Sequence, residues 1–129
     1  MKSWRTRLGA AMLGLGMFSS VLVVTAEPAL AAAYTTCYTG GQWNDTAAVP
    51  ATGGWVGYGV NVSSWGRFRI FDQTTNPDTR VRIPGEDNYG WVNVESGPKT
   101  VTGKVTGLNS SHNYYLRLDC NRTATGYIS

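Results

Sequence analysis

Histidine occurs once and cysteine twice in this 129-residue chain, and charged side chains make up only 15% of it. A single histidine, His112, excludes a His-rich metal set, and neither a Gly-x-Ser-x-Gly elbow nor a phosphate-cradling glycine loop is present. His112 stands beside Ser110 and Ser111, where it reads as a polar surface residue of a loop. Glu86-Asp87-Asn88 offers oxygens but lacks the spacing of a calcium loop, and after Pro84-Gly85 it reads as a turn. No metal and no cofactor are expected. Nothing marks two of the carboxylates as an acid–base pair, so catalysis is not expected either.

Long apolar runs are equally scarce. The one candidate, Leu8–Thr25, follows a start bearing Lys2, Arg5 and Arg7 and is broken by Glu27-Pro28 before the small residues of Ala29-Leu30-Ala31. That order is the pattern of a cleavable secretory signal over residues 1–31, and the run is too short and interrupted to span a bilayer. Residues 32–129 then form a single domain of 98 residues with no second apolar run for membrane insertion. This part carries eight cations against seven anions, a net charge of +1. The basic isoelectric point of the whole chain is therefore no argument for nucleic acid. Cys37 and Cys120 lie near the two ends of the domain, and export to an oxidising compartment makes a structural disulfide the expectation. Closing a loop of that length stabilises by about 4–5 kcal/mol in the chain-entropy model.

Beyond residue 31 no helix-period stretch appears. Short alternating runs lie between clusters of Gly, Pro, Asn and Ser, which predicts an all-β domain. The runs are Tyr34–Tyr38, Trp55–Val62, Arg67–Asp72, Thr79–Ile83, Trp91–Val94, Thr100–Val105, Tyr114–Cys120 and Thr125–Ile128. Val56, Tyr58, Val60 and Val62 share one face, Val101 and Val105 another, and Tyr114, Leu116 and Leu118 a third. Such faces must bury one another, which requires two packed sheets or a barrel; a small two-sheet β-sandwich of about seven strands is the expectation. The longest gap, Thr39–Gly53, contains Trp43 and Pro50 and reads as a long loop.

Val105-Thr106-Gly107-Leu108, followed after a short loop by Tyr114-Tyr115-Leu116-Arg117-Leu118, resembles the corner before the sixth strand of fibronectin type III domains. The resemblance implies that Leu108 plugs one end of the sandwich while the Tyr114 hydroxyl ties down the crossing loop. This chain has Ser110 where that family usually has Pro, and it adds a disulfide. The fold is all that such a likeness implies, because that architecture hosts many functions.

Four arginines form the sharpest local feature. If Arg67–Asp72 and Thr79–Ile83 make an antiparallel hairpin, pairing Arg69 with Arg80 also pairs Arg67 with Arg82, and Phe68 faces Val81 on the other side. In a fibronectin-like arrangement the sixth strand adds Tyr115, Arg117 and Asp119 to the arginine face. Forked guanidinium donors suit carboxylate or phosphate groups. The same residues also read as a solvated strand face with Asp72, Asp119 or Glu95 as local counter-charges.

Aromatic placement offers a second surface. Trp55, Gly57, Gly59 and Asn61 are out of phase with the valines of their strand, and Trp91 is out of phase with Val92 and Val94. Trp55 and Trp91, with Trp43 in its loop, read as sugar-stacking aromatics or as covers for the glycine strip. Asn-x-Ser/Thr triplets at Asn44, Asn61, Asn109 and Asn121 matter only where a secretory pathway glycosylates them. The sequence thus points to an exported binding module. Its expected surface is Arg67, Arg69, Arg80, Arg82, Arg117 and Tyr115, and its expected partner an anionic polymer, a polysaccharide or an extracellular protein. The alternatives are a hydrolase inhibitor presenting Thr39–Gly53 with Trp43 as anchor, and a sugar binder using Trp55 and Trp91.

Overall fold

The computed structural model describes residues 32–39 and 42–129; the expected signal segment lies outside them. The described residues contain no helix and ten strands. They are β1 (Ala33–Cys37), β2 (Asn44–Asp45), β3 (Val49–Pro50), β4 (Val56–Val62), β5 (Gly66–Asp72), β6 (Thr79–Val81), β7 (Val92–Val94), β8 (Lys99–Val105), β9 (Asn113–Cys120) and β10 (Ala124–Ile128). All pairings are antiparallel. One sheet has the order β1-β10-β4-β8, and the other β2-β9-β5-β6, with β3 also on β9 and β7 also on β5.

Alternation explains how the sheets meet. Val56, Tyr58, Val60 and Val62 of β4 are buried, as are Phe68 and Ile70 of β5 and Tyr114, Leu116 and Leu118 of β9. With Val105, Ala124 and Ile128 they make one hydrophobic core. Cys37 at the end of β1 and Cys120 at the end of β9 are fully buried and joined by a disulfide that links the two sheets. Disulfides of this kind belong to oxidising compartments.

Three departures from the sequence expectation bear on the site. First, Thr39–Gly53 is not a long free loop. Asn44–Asp45 and Val49–Pro50 both pair with β9. Between them Thr46 is buried; its amide donates to the Leu116 carbonyl (3.0 Å) and its hydroxyl accepts the Leu116 amide (3.0 Å). Both backbone groups of Leu116 are thereby satisfied where the edge strand bulges.

Second, the final run begins one residue earlier, at Ala124, and is an interior strand, since β10 pairs along its full length with β1 and with β4. Its Gly126 weakens the strand signal, yet it faces the core and leaves room for Leu116, whose Cδ2 a Cβ there would meet at 3.0 Å. Third, β6 ends at Val81, and the remaining edge of β5 is taken by β7.

Candidate functional site

The outward residues of β5 and β9 build a face on the far side of the second sheet from the core. Along β5 these are Arg67, Arg69 and Phe71, and along β9 Tyr115, Arg117 and Asp119. The hairpin register differs from the expected one: Phe71, not Arg69, is opposite Arg80, and the partner of Arg67 is Asn93 on β7. The turn after β5 accounts for this. The Asp72 carboxylate accepts the Thr74 amide (2.9 Å), and the Thr75 and Thr79 hydroxyls meet at 2.7 Å, so the hairpin closes with Asp72 opposite Thr79. The like charges that stand directly opposed are Arg69 and Arg117.

Carboxylates and aromatic rings relieve that opposition. Arg117 reaches sideways to Asp45 with a two-pronged fork (Nε–Oδ1 and Nη2–Oδ2, both 2.9 Å), which holds its guanidinium above the ordinary arginine value. Arg67 pairs with Asp119 at 3.0 Å across the β5–β9 ladder. Arg80 pairs with Glu86, whose other oxygen accepts the Ile83 amide at 3.0 Å and turns the chain away from β5. Gly90, at φ 85°, supplies the bare backbone against which the Arg80 guanidinium lies. Arg82 leaves the sheet beyond the end of β6; its side chain is 85% exposed, with its Nε 3.9 Å from Glu86.

Arg69 is the exception. It has no carboxylate within ion-pair distance among the described residues, and its buried Nε has no hydrogen-bond partner. Its guanidinium carbon lies 4.1 Å from the centre of the Trp91 ring, and Nη2 donates to the Tyr89 carbonyl. Burial first, then repulsion from Arg80, Arg67 and Arg117, lowers its proton affinity.

Trp91 is therefore not the exposed ring that its phase implied. It is 3% exposed, with Arg67 at 4.2 Å and Arg69 at 4.1 Å over its ring, and Trp43 packs on it at 5.3 Å between ring centres. Tyr115 is likewise no surface contact. It is 5% exposed, stacked on Phe71 at 5.4 Å, and its hydroxyl donates to Asp78 at 2.7 Å. The exposed aromatics of this face are Trp43 and Tyr89.

Trp55 remains partly exposed on the opposite sheet. It lies along Gly57 and Gly53, with the Lys104 ammonium 5.0 Å from its ring centre. It covers a glycine, as one of its two readings held.

Other residues named from sequence have structural partners. The Tyr114 hydroxyl accepts the Asn109 amide at 3.1 Å and so ties down the loop before β9. His112 is more than a solvated loop residue, because its Nδ1 is 2.6 Å from the buried carboxylate of Asp72. Asp87 accepts the amides of Tyr89 and Trp91 and the Asn93 side chain; these bonds, led by that from Trp91, hold it below the ordinary carboxylate range. That network makes Glu86-Asp87-Asn88 a hydrogen-bonded turn. Among the described residues no group of metal-ligating side chains is present.

Asp45, Asp87, Tyr89 and Asn93 were not legible as parts of this face. Asp45 lies in what reads as a loop, and the others follow a turn whose return to β5 no periodicity announces. Compared with known proteins, the chain matches no family model, no curated protein and no solved structure.

Proposed function

We propose that the protein is an exported, non-enzymatic binding module that takes acid groups of an extracellular polymer or protein surface on the outer face of the β2-β9-β5-β6 sheet. One observation carries the reading: of five arginines on and beside this face, four sit near a carboxylate of the chain and Arg69 alone does not. The face is thus no broad basic patch. Its arginines and carboxylates largely neutralise each other, and one guanidinium, laid over Trp91 and bonded to the carbonyl of exposed Tyr89, has no carboxylate of the chain to pair with and is left to meet an incoming one. Stacking on Trp91 fixes that guanidinium in advance, which reduces the ordering cost of binding.

Co-sedimentation of the purified protein with insoluble cell-wall material at low and high salt tests this reading. Binding at low salt should weaken strongly with salt and be lost in Arg69→Gln, while Arg82→Gln retains most of it. Undiminished binding by Arg69→Gln contradicts the assignment.

A further inference from the structure

The other outer face has a different chemistry. In the sheet β1-β10-β4-β8 the outward positions are Tyr34 and Thr36, Thr125 and Tyr127, Gly57, Gly59 and Asn61, and Thr100, Thr102 and Lys104. No carboxylate occurs among them, and the one cation, Lys104, stands at the end of the face over Trp55. Register arranges the rest in two rows that cross the strands. Tyr34, Tyr127, Gly59 and Thr102 are successive partners in one row, and Thr36, Thr125, Asn61 and Thr100 in the next. Strands lie about 4.8 Å apart, so each row is about 14 Å long.

The first row is a stacking platform. Gly59 has no side chain, and the Tyr127 ring occupies the space that a Cβ would fill. Tyr34, 71% exposed, leans against Tyr127 at 5.7 Å between ring centres. The second row supplies directed polar groups. The Asn61 amide nitrogen donates to the Thr100 hydroxyl oxygen at 2.6 Å. That bond leaves the Asn61 Oδ1 as an acceptor and the Thr100 proton as a donor, side by side at the surface. Between the rows lies a hollow of about 190 Å³ lined by Tyr34, Asn61, Thr100, Thr125 and Tyr127 over the backbone of Val60.

We propose that this face is a second binding site, for a neutral sugar polymer lying across the strands, with pyranose C–H faces on Tyr34 and Tyr127 and a vicinal diol on the Asn61–Thr100 pair. One hydroxyl of such a diol donates to Asn61 Oδ1 and the other accepts from Thr100. Aromatic rings beside uncharged donors and acceptors satisfy a sugar ring, which presents one apolar face and a polar rim. The site is independent of Arg69 and lies on the opposite sheet.

Retention of the purified protein on microcrystalline cellulose, on chitin and in gels containing soluble mixed-linkage glucan tests the proposal. At least one of these should bind, and should still bind in about 1 M NaCl, where the Debye length is about 3 Å. Tyr34→Ala and Asn61→Ala should each weaken that retention up to about tenfold, the factor that corresponds to about 1.4 kcal/mol, while Arg69→Gln leaves it unchanged. Both residues are exposed, so unchanged urea midpoints will show that the variants are folded. Retention by none of the three, or retention of both variants equal to that of the wild type, overturns the proposal. Retention that vanishes with salt and with Arg69→Gln overturns it as well and assigns the binding to the arginine face.

Discussion

At the scale of single residues, burial has changed the role of two side chains named from sequence. Tyr115 and Trp91 alternate outward as expected, but the outer face is covered by its own arginines and aromatics, so outward does not mean exposed. Alternation specifies a side of the sheet; what covers Trp91 there includes Trp43, and what covers Tyr115 includes Phe71 and Asp78, contacts that no local pattern announces. Burial, reinforced by the hydrogen bond to Asp78, pushes the Tyr115 hydroxyl from the ordinary 10.0 to about 12. A raised value means that the folded state holds the phenolic proton more tightly. The stabilisation is therefore fully present below about pH 10 and is lost as pH rises through about 12. Burial also raises Tyr58 and Tyr114. Urea midpoints should fall across that alkaline window, and less steeply in Tyr115→Phe. Midpoints that stay flat to pH 12 contradict the burial argument.

At the scale of strands, the period of two located the long elements within a residue or two at each end. Two-residue strands such as β2 and β3 escaped it, because they are too short to show a period. Between β2 and β3 the strap is pinned to β9 by one hydroxyl, since Thr46 Oγ1 accepts the Leu116 amide and donates to the Ala47 carbonyl. Thr46→Val preserves the shape but leaves that amide buried without a partner. The substitution should cost about 1–3 kcal/mol and remove hydrogen-exchange protection from Leu116. Retained protection would show that the strap holds without the hydroxyl. The arginine face had a comparable history. Its members were legible from alternation, but its register depended on the Asp72 turn, and its charge balance on Asp45 and Glu86 across non-local pairings.

For the whole molecule, one core between two sheets is closed by a disulfide that spans 83 residues of sequence. In a domain of this size, removal of the bridge by Cys37→Ser with Cys120→Ser should lower stability by about 4–5 kcal/mol, comparable with the folding free energy of a small domain. Urea unfolding of oxidised and reduced protein reads this directly, and equal midpoints would remove the bridge from the account. The two outer faces then divide the chemistry. One is charged but largely self-neutralised around a single guanidinium that has no carboxylate partner, and the other is almost uncharged and rich in hydroxyls.

Anion binding turns on the Arg69 guanidinium. Tryptophan emission from Trp91, over which Arg69 lies, and from Trp43 packed on it can be followed during titration with polygalacturonate at low salt. A saturable change is expected that is absent in Arg69→Gln and weakened by salt. An identical titration of wild type and Arg69→Gln, or no change in either, would contradict it.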